Sequence, residues 1–186
     1  MAGGARWLQL RAKTMPGGAF LDLAMCVRDI AHTAGAILVV NDRAVIARLA
    51  GADGVHVGQD DLSPAAATAI VGAGAVIGFS THTEAQIDVA VGQSVRYIAV
   101  GPVFGTATKD TGYTSVGLDL VRYAASAITR GMSSQSPELV AIGGITLDRA
   151  AAVIGAGATA VAVITDLLST GDPESRVRAY LTRLSK

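Results

Sequence analysis

Short apolar runs rich in β-branched residues recur along the chain, at Trp7 to Leu10, Ala36 to Val40, Gly54 to Val57, Val76 to Phe79, Tyr97 to Val103, Leu139 to Ile145 and Ala160 to Ile164. Each has the length of a buried strand. Helical patterns separate them. Phe20, Leu23, Ala24, Val27, Ile30 and Ala31 follow i, i+3, i+4, i+7 spacing and stop at Gly35, a natural residue just past a helix end. Val177, Tyr180, Leu181 and Leu184 repeat that spacing after Asp172-Pro173, which reads as an N-cap followed by proline at the first helical position. Shorter helices fit Arg43 to Ala50, Pro64 to Val71, Glu84 to Val91, Leu118 to Ile128 and Asp148 to Ile154. Strict strand-helix alternation calls for parallel strands joined by right-handed crossovers, in either an open doubly wound sheet or a (β/α)8 barrel. Seven strands are one short of a barrel. The pattern therefore predicts an α/β chain of the TIM barrel type whose first β-strand is absent from residues 1–186 or replaced, folded as a single domain.

Composition narrows the picture. Hydrophobic residues make up 51% of the 186 and charged residues only 16%, enough apolar side chain for a continuous core. Aromatic content is 4% against 22 glycines, which suits helices packed closely on strands covered on both faces. Fifteen basic and fifteen acidic residues cancel, so the broad positive field of a nucleic-acid binder is missing and anions must be bound locally. A single cysteine, Cys26, excludes an internal disulfide and a Cys-based zinc site. The longest weakly polar run, Ala150 to Ile164, is shorter than the roughly 20 residues a bilayer span needs. A soluble, cytoplasmic protein without nucleic-acid or membrane partners is expected; homo-oligomerisation is left open.

Candidate chemistry follows the strands. Gln9, Arg11 and Lys13 alternate, which places an amide and two cations on one face of an extended strand, suited to a phosphate group. Asn41 and Asp42, then Gln59, Asp60 and Asp61, follow the next two strands; carboxylates there can hold Mg2+ together with substrate phosphates, or can cap the helices that come after. Ser80, Thr81 and His82 follow the fourth strand. Thr106, Thr108 and Lys109 lie on a long connection that suits a lid. Gly143-Gly144 and the turn at Thr165 occupy the late positions where barrels often bind phosphate. His56, inside a strand, reads as an interior side chain and Cys26 as a packing residue. Gly155 to Ala160 imitates a dinucleotide fingerprint but precedes a strand instead of following one.

In order, QLRAK (9–13), ND (41–42), ADGVHVGQDDL (52–62), IGFSTHT (77–83), YIAVGPVFGTATK (97–109) and AIGGI (141–145) resemble the thiamine phosphate synthase family over nearly the whole chain. The resemblance implies a transferase of thiamine biosynthesis. It would join the diphosphate of 4-amino-2-methyl-5-hydroxymethylpyrimidine to a thiazole phosphate, giving thiamine phosphate and diphosphate through a pyrimidinylmethyl cation. It also implies that Gln9, Arg11, Lys13 and Asn41 hold the pyrimidine diphosphate, that Ser80 and Lys109 contact it, with Arg11, Ser80 and Lys109 the catalytic set, and that Asp42 and Asp61 bind Mg2+. Thr106, Thr108, Gly144, Ile164 and Thr165 would hold the thiazole phosphate. The sequence departs from the family pattern at Ala12, where glutamate is usual, and at Thr165, where serine is usual, and it has only Met1 to Ala5 where an additional strand would precede Arg6. A thiazole tautomerase on the same barrel, and a non-catalytic thiamine-precursor binding paralogue, are the competing readings; the first would lack the QLRAK, Asn-Asp and TATK residues present here.

Overall fold

A computed structural model describes residues 1–105, 114–131 and 136–185. They divide into two compact units, Met1–Phe79 and Ser80–Lys186. Strand order follows chain order and the strand pairs are parallel, which with the seven strand-helix repeats makes the chain an α/β fold of the TIM barrel type, seven strands being found among the described residues.

The first unit contains β1 (Trp7–Leu10), α1 (Gly17–Thr33), β2 (Ile37–Asn41), α2 (Ala44–Ala50), β3 (Gly54–Val57), α3 (Pro64–Val71) and most of β4 (Val76–Thr81). Its core joins Phe20, Ala24 and Ala31 of α1 and Ala44, Ala47 and Ala50 of α2 to Leu38, Val39, Val40, Val55 and Val57. Alanine on the inner helix faces lets the helices approach strands whose own residues are buried on both sides. β3 and β4 come so close that a Cβ on Gly54 would lie 2.0 Å from the carbonyl oxygen of Val76. Only glycine fits there.

The second unit begins with the end of β4 and continues through α4 (Glu84–Val91), β5 (Tyr97–Val100), α5 (Gly117–Arg130), β6 (Glu138–Ile142), α6 (Leu147–Gly155), β7 (Ala160–Ala162), α7 (Thr165–Leu168) and α8 (Pro173–Leu184). Ile87, Ile98, Val100, Val121, Leu139, Ala141 and Val153 are its buried centre. Asp172 caps α8 as its position before Pro173 predicts, accepting the Ser175 N–H at 3.0 Å.

Four strand lengths correct the sequence expectation. β4 runs on to Thr81 instead of stopping at Phe79, so Ser80 and Thr81 belong to the strand. β5 ends at Val100, not Val103, because Pro102 has no N–H for the ladder, while Val103 remains buried as loop. β6 ends at Ile142 because Gly143 and Gly144 turn the backbone to positive φ. β7 stops at Ala162, and the turn expected at Thr165 is one helical turn, α7. β1 and β7 are the least covered strands of their units: Trp7 of β1 is 42% exposed, and no residue of β7 is buried.

Candidate active site at the strand ends

In the first unit the register brings the polar residues to one level. Leu10 pairs with Val40, so Arg11 follows at the level of Asn41, and Asn41 pairs with His56. Asn41 and His56 are buried, whereas Gln9 and Arg11 are exposed. β1 alternates between open and half-buried positions, which puts Gln9 on the open side and Leu8 and Leu10 against Ala31, Ala36 and Leu38. Lys13 departs from the expected extended strand. β1 ends at Leu10 with its last pairing to β2, and Lys13 sits in a following turn in which the Met15 N–H donates to the Ala12 carbonyl. The turn nevertheless aims the lysine: its Nζ is 3.1 Å from Asp42 Oδ2.

Asp42 is the only non-glycine residue with positive φ, 63°, among the described residues. Its N–H donates to the His56 carbonyl at 2.8 Å and its own carbonyl accepts from Ala44 at 3.1 Å, so β3 and the start of α2 impose the conformation. A side chain in this region is strained by about 1–2 kcal/mol, a situation that concentrates at functional sites. The alternative reading of the aspartates as helix caps fails. Arg43 occupies the N-cap of α2 without a side-chain cap bond, and the cap of α3 is Ser63, whose hydroxyl accepts from Ala66 at 3.2 Å. Asp61, exposed beyond β3, accepts the Gly58 N–H at 2.8 Å and so orders the loop that carries it. Arg43, which sequence reasoning treated only as a helix start, proves to hold the lysine turn: it donates to the Lys13 carbonyl at 2.8 Å and lies over the Phe20 ring at 5.0 Å.

In the second unit Ser80 and Thr81 are buried at the end of β4, and Thr81 donates to the Ala99 carbonyl. The loops after β5 and β6 are locked together. Phe104 N–H donates to the Gly143 carbonyl at 3.0 Å, and a Cβ on Gly144, whose φ is 61°, would fall 2.5 Å from the Gly105 carbonyl oxygen. Arg149 donates to the Gly144 carbonyl at 3.2 Å and stacks over Phe104 at 4.8 Å. Ile164 and Thr165 are exposed at the end of β7 and the start of α7. Thr106, Thr108 and Lys109 lie outside the described residues.

Sequence reasoning also gave no role to Asp166, next to Thr165. Its carboxylate accepts from Arg176 Nε at 3.0 Å and Nη2 at 2.9 Å, from the Tyr180 hydroxyl at 2.5 Å and from the Leu147 N–H at 3.2 Å. The Arg176 guanidinium, then the tyrosine hydroxyl, hold the Asp166 carboxyl below its ordinary value against the opposing effect of burial. Burial and the neighbouring carboxylate push the Tyr180 hydroxyl well above its ordinary value.

The model of a family described as thiamine monophosphate synthase matches residues 1–167. The chain belongs to that family. It is 42% identical over 186 residues to a thiamine-phosphate synthase of Gloeobacter violaceus, covering all of this chain and 52% of that one, and 40% identical over 184 residues to one of Methanoculleus marisnigri, covering 99% and 84%. The chain thus spans about half of the first relative and most of the second. Its fold is similar to that of a thiamine phosphate pyrophosphorylase from Pyrococcus furiosus, with a TM-score of 0.86, 26% identity, and coverage of 99% of this chain and 85% of that one. The expected family is the one found, and the relatives carry the name of the expected transferase. No helix among the described residues is long and apolar enough to cross a membrane.

Proposed function

We propose that the chain is a thiamine phosphate synthase, joining the pyrimidine diphosphate to a thiazole phosphate with release of diphosphate. The observation that carries this reading is the Lys13–Asp42 pair, built on a backbone strained at Asp42 and free of any capping role. Arg11 and Lys13 offset negative charge building on the departing diphosphate, and the amides of Gln9 and Asn41 orient the pyrimidine. Ser80 and Lys109 contact the same substrate. Loss of the diphosphate leaves a pyrimidinylmethyl cation, whose carbon is then bonded by the ring nitrogen of the thiazole. Gly144, Ile164 and Thr165 of the second unit, with Thr106 and Thr108, hold the thiazole phosphate.

The donor set suits Mg2+. Asp42 and Asp61 follow neighbouring parallel strands of the first unit, and no group of three or more acidic, histidine or cysteine residues gathers among the described residues. Two carboxylates completed by substrate phosphate oxygens are how this ion is usually held. When bound, it would supply further neutralisation of the leaving diphosphate. The same reading places the protein in the cytoplasm.

The test is diphosphate release by purified protein given both substrates and Mg2+. Release is expected only when the thiazole phosphate is present, and is lost in Asp42→Ala and Lys109→Ala. Binding of thiazole phosphate by folded protein without any turnover would overturn the synthase reading in favour of a binding protein.

A further inference from the structure

We infer that Asp166 is a positioning residue that sets the spacing between the two segments of the thiazole-phosphate subsite in the second unit; the inference rests on the proposed assignment of Gly144 and Thr165 to that subsite. One segment is Gly143 to Leu147, the other begins at Thr165. Asp166 belongs to the second by its backbone and to the first by its side chain, through the Leu147 N–H at 3.2 Å. Tyr180, buried on α8, reinforces the tie: its hydroxyl lies 2.5 Å from Asp166 and 3.4 Å from the Ile145 carbonyl oxygen. Arg176, one turn earlier on α8, grips both carboxylate oxygens.

The arrangement meets two physical requirements at once. A carboxylate beside a phosphate subsite would repel the ligand unless its charge were neutralised, and the bidentate guanidinium does this. Its side chain is only 12% exposed, so water has little opportunity to replace those partners. Arg149 independently holds the Gly144 carbonyl, which leaves the Asp166 network to set where the segment stands relative to Thr165. Neither Asp166 nor Arg176 is assigned a contact with substrate, so the effect is on geometry.

Displacement of a binding group by about 1 Å can lower turnover on the order of a hundredfold. Partial release of one segment in Asp166→Ala is therefore expected to raise the KM for thiazole phosphate about tenfold, with the KM for the pyrimidine diphosphate unchanged. Tyr180→Phe, which keeps the ring and removes one bond, should shift the same constant about twofold to threefold. Asp166→Ala combined with Arg176→Ala no longer leaves the guanidinium unpaired and should recover part of the thermal stability lost in the single variant. The raised KM for thiazole phosphate should persist in it. Equal changes in both KM values, no change in either single variant, or a normal thiazole-phosphate KM in the double variant would overturn the inference. An inactive wild type would instead count against the synthase reading.

Discussion

Asp42 offers a test in which stability and activity should part. Its φ of 63° carries about 1–2 kcal/mol of strain for a residue with a Cβ, and glycine carries none. Against this relief, glycine gives the unfolded chain more freedom, worth about 0.4–1 kcal/mol. The Lys13 pair is lost in either replacement, but its lysine side chain is 50% exposed, so the loss is about 0.5 kcal/mol or less. Asp42→Gly should therefore lie close to the wild type in stability. Asp42→Ala keeps the strain, loses the pair, and should be about 1 kcal/mol less stable than the glycine variant. For a chain of 186 residues that difference is about 2–4 °C in Tm. Thermal unfolding followed by circular dichroism measures it, and diphosphate release measures activity, which both variants should lose. An alanine variant as stable as the glycine one would show that the imposed conformation is not strained. Wild-type turnover in either would remove the carboxylate from the proposed site.

Other outcomes follow from the same geometry. Since Asp166 binds its proton less readily when folded than when unfolded, its stabilising contribution is complete above the ordinary carboxylate range, about pH 4, and disappears as pH falls through the lowered folded value. Acid unfolding should accordingly be steeper in the wild type than in Asp166→Asn, as urea midpoints measured between pH 5 and pH 2 would reveal; parallel profiles would contradict the assignment. Gly144→Ala meets the Gly105 carbonyl at 2.5 Å on a left-handed backbone and should cost about 2 kcal/mol or more, with a raised KM for thiazole phosphate. A fully active, equally stable alanine variant would show that the two loops are not locked together. Asp61→Asn keeps an oxygen for the Gly58 N–H but gives up a carboxylate charge, so it should retain its melting temperature while needing a higher Mg2+ concentration for half-maximal activity. A metal titration superimposable on that of the wild type would dismiss Asp61 as a ligand.

Fold class was legible because buried parallel strands leave an unmistakable apolar trace: all four residues of β3 and of β5 are buried, and their starts were placed correctly. Strand ends were less legible because apolarity reports burial and not hydrogen bonding. Gly101, Pro102 and Val103 are as buried as the strand before them, yet they belong to a loop. The candidate residues of the first unit were visible as polar positions just beyond apolar runs. What sequence did not show is how they are aimed. The backbone at Asp42 is set by the carbonyl of His56, 14 positions away, and the turn at Lys13 by the guanidinium of Arg43, 30 positions away. Asp166 and Arg176 stand 10 positions apart on separate helices, a spacing with no helical meaning, so their pairing had no signature.

The placement of strain follows from this division of labour. A positive φ on a residue with a Cβ, or a loop wedged where no Cβ fits, persists only where the surrounding structure over-determines it. Here the apolar strands provide that constraint. Asp42 is held at the end of β2 by a hydrogen bond to β3, and Gly144 follows β6 in contact with the loop leaving β5. Each of these two positions stands within two residues of a strand whose register is fixed by parallel pairing. A polar group displaced further along its loop would gain freedom and lose direction, and a group inside a strand such as β3 or β5 would be buried. The strand end is thus where a charged side chain can be both solvated and aimed. That is why Asp42 comes directly after β2, and why Ile164 and Thr165 stand just past β7, at the start of α7.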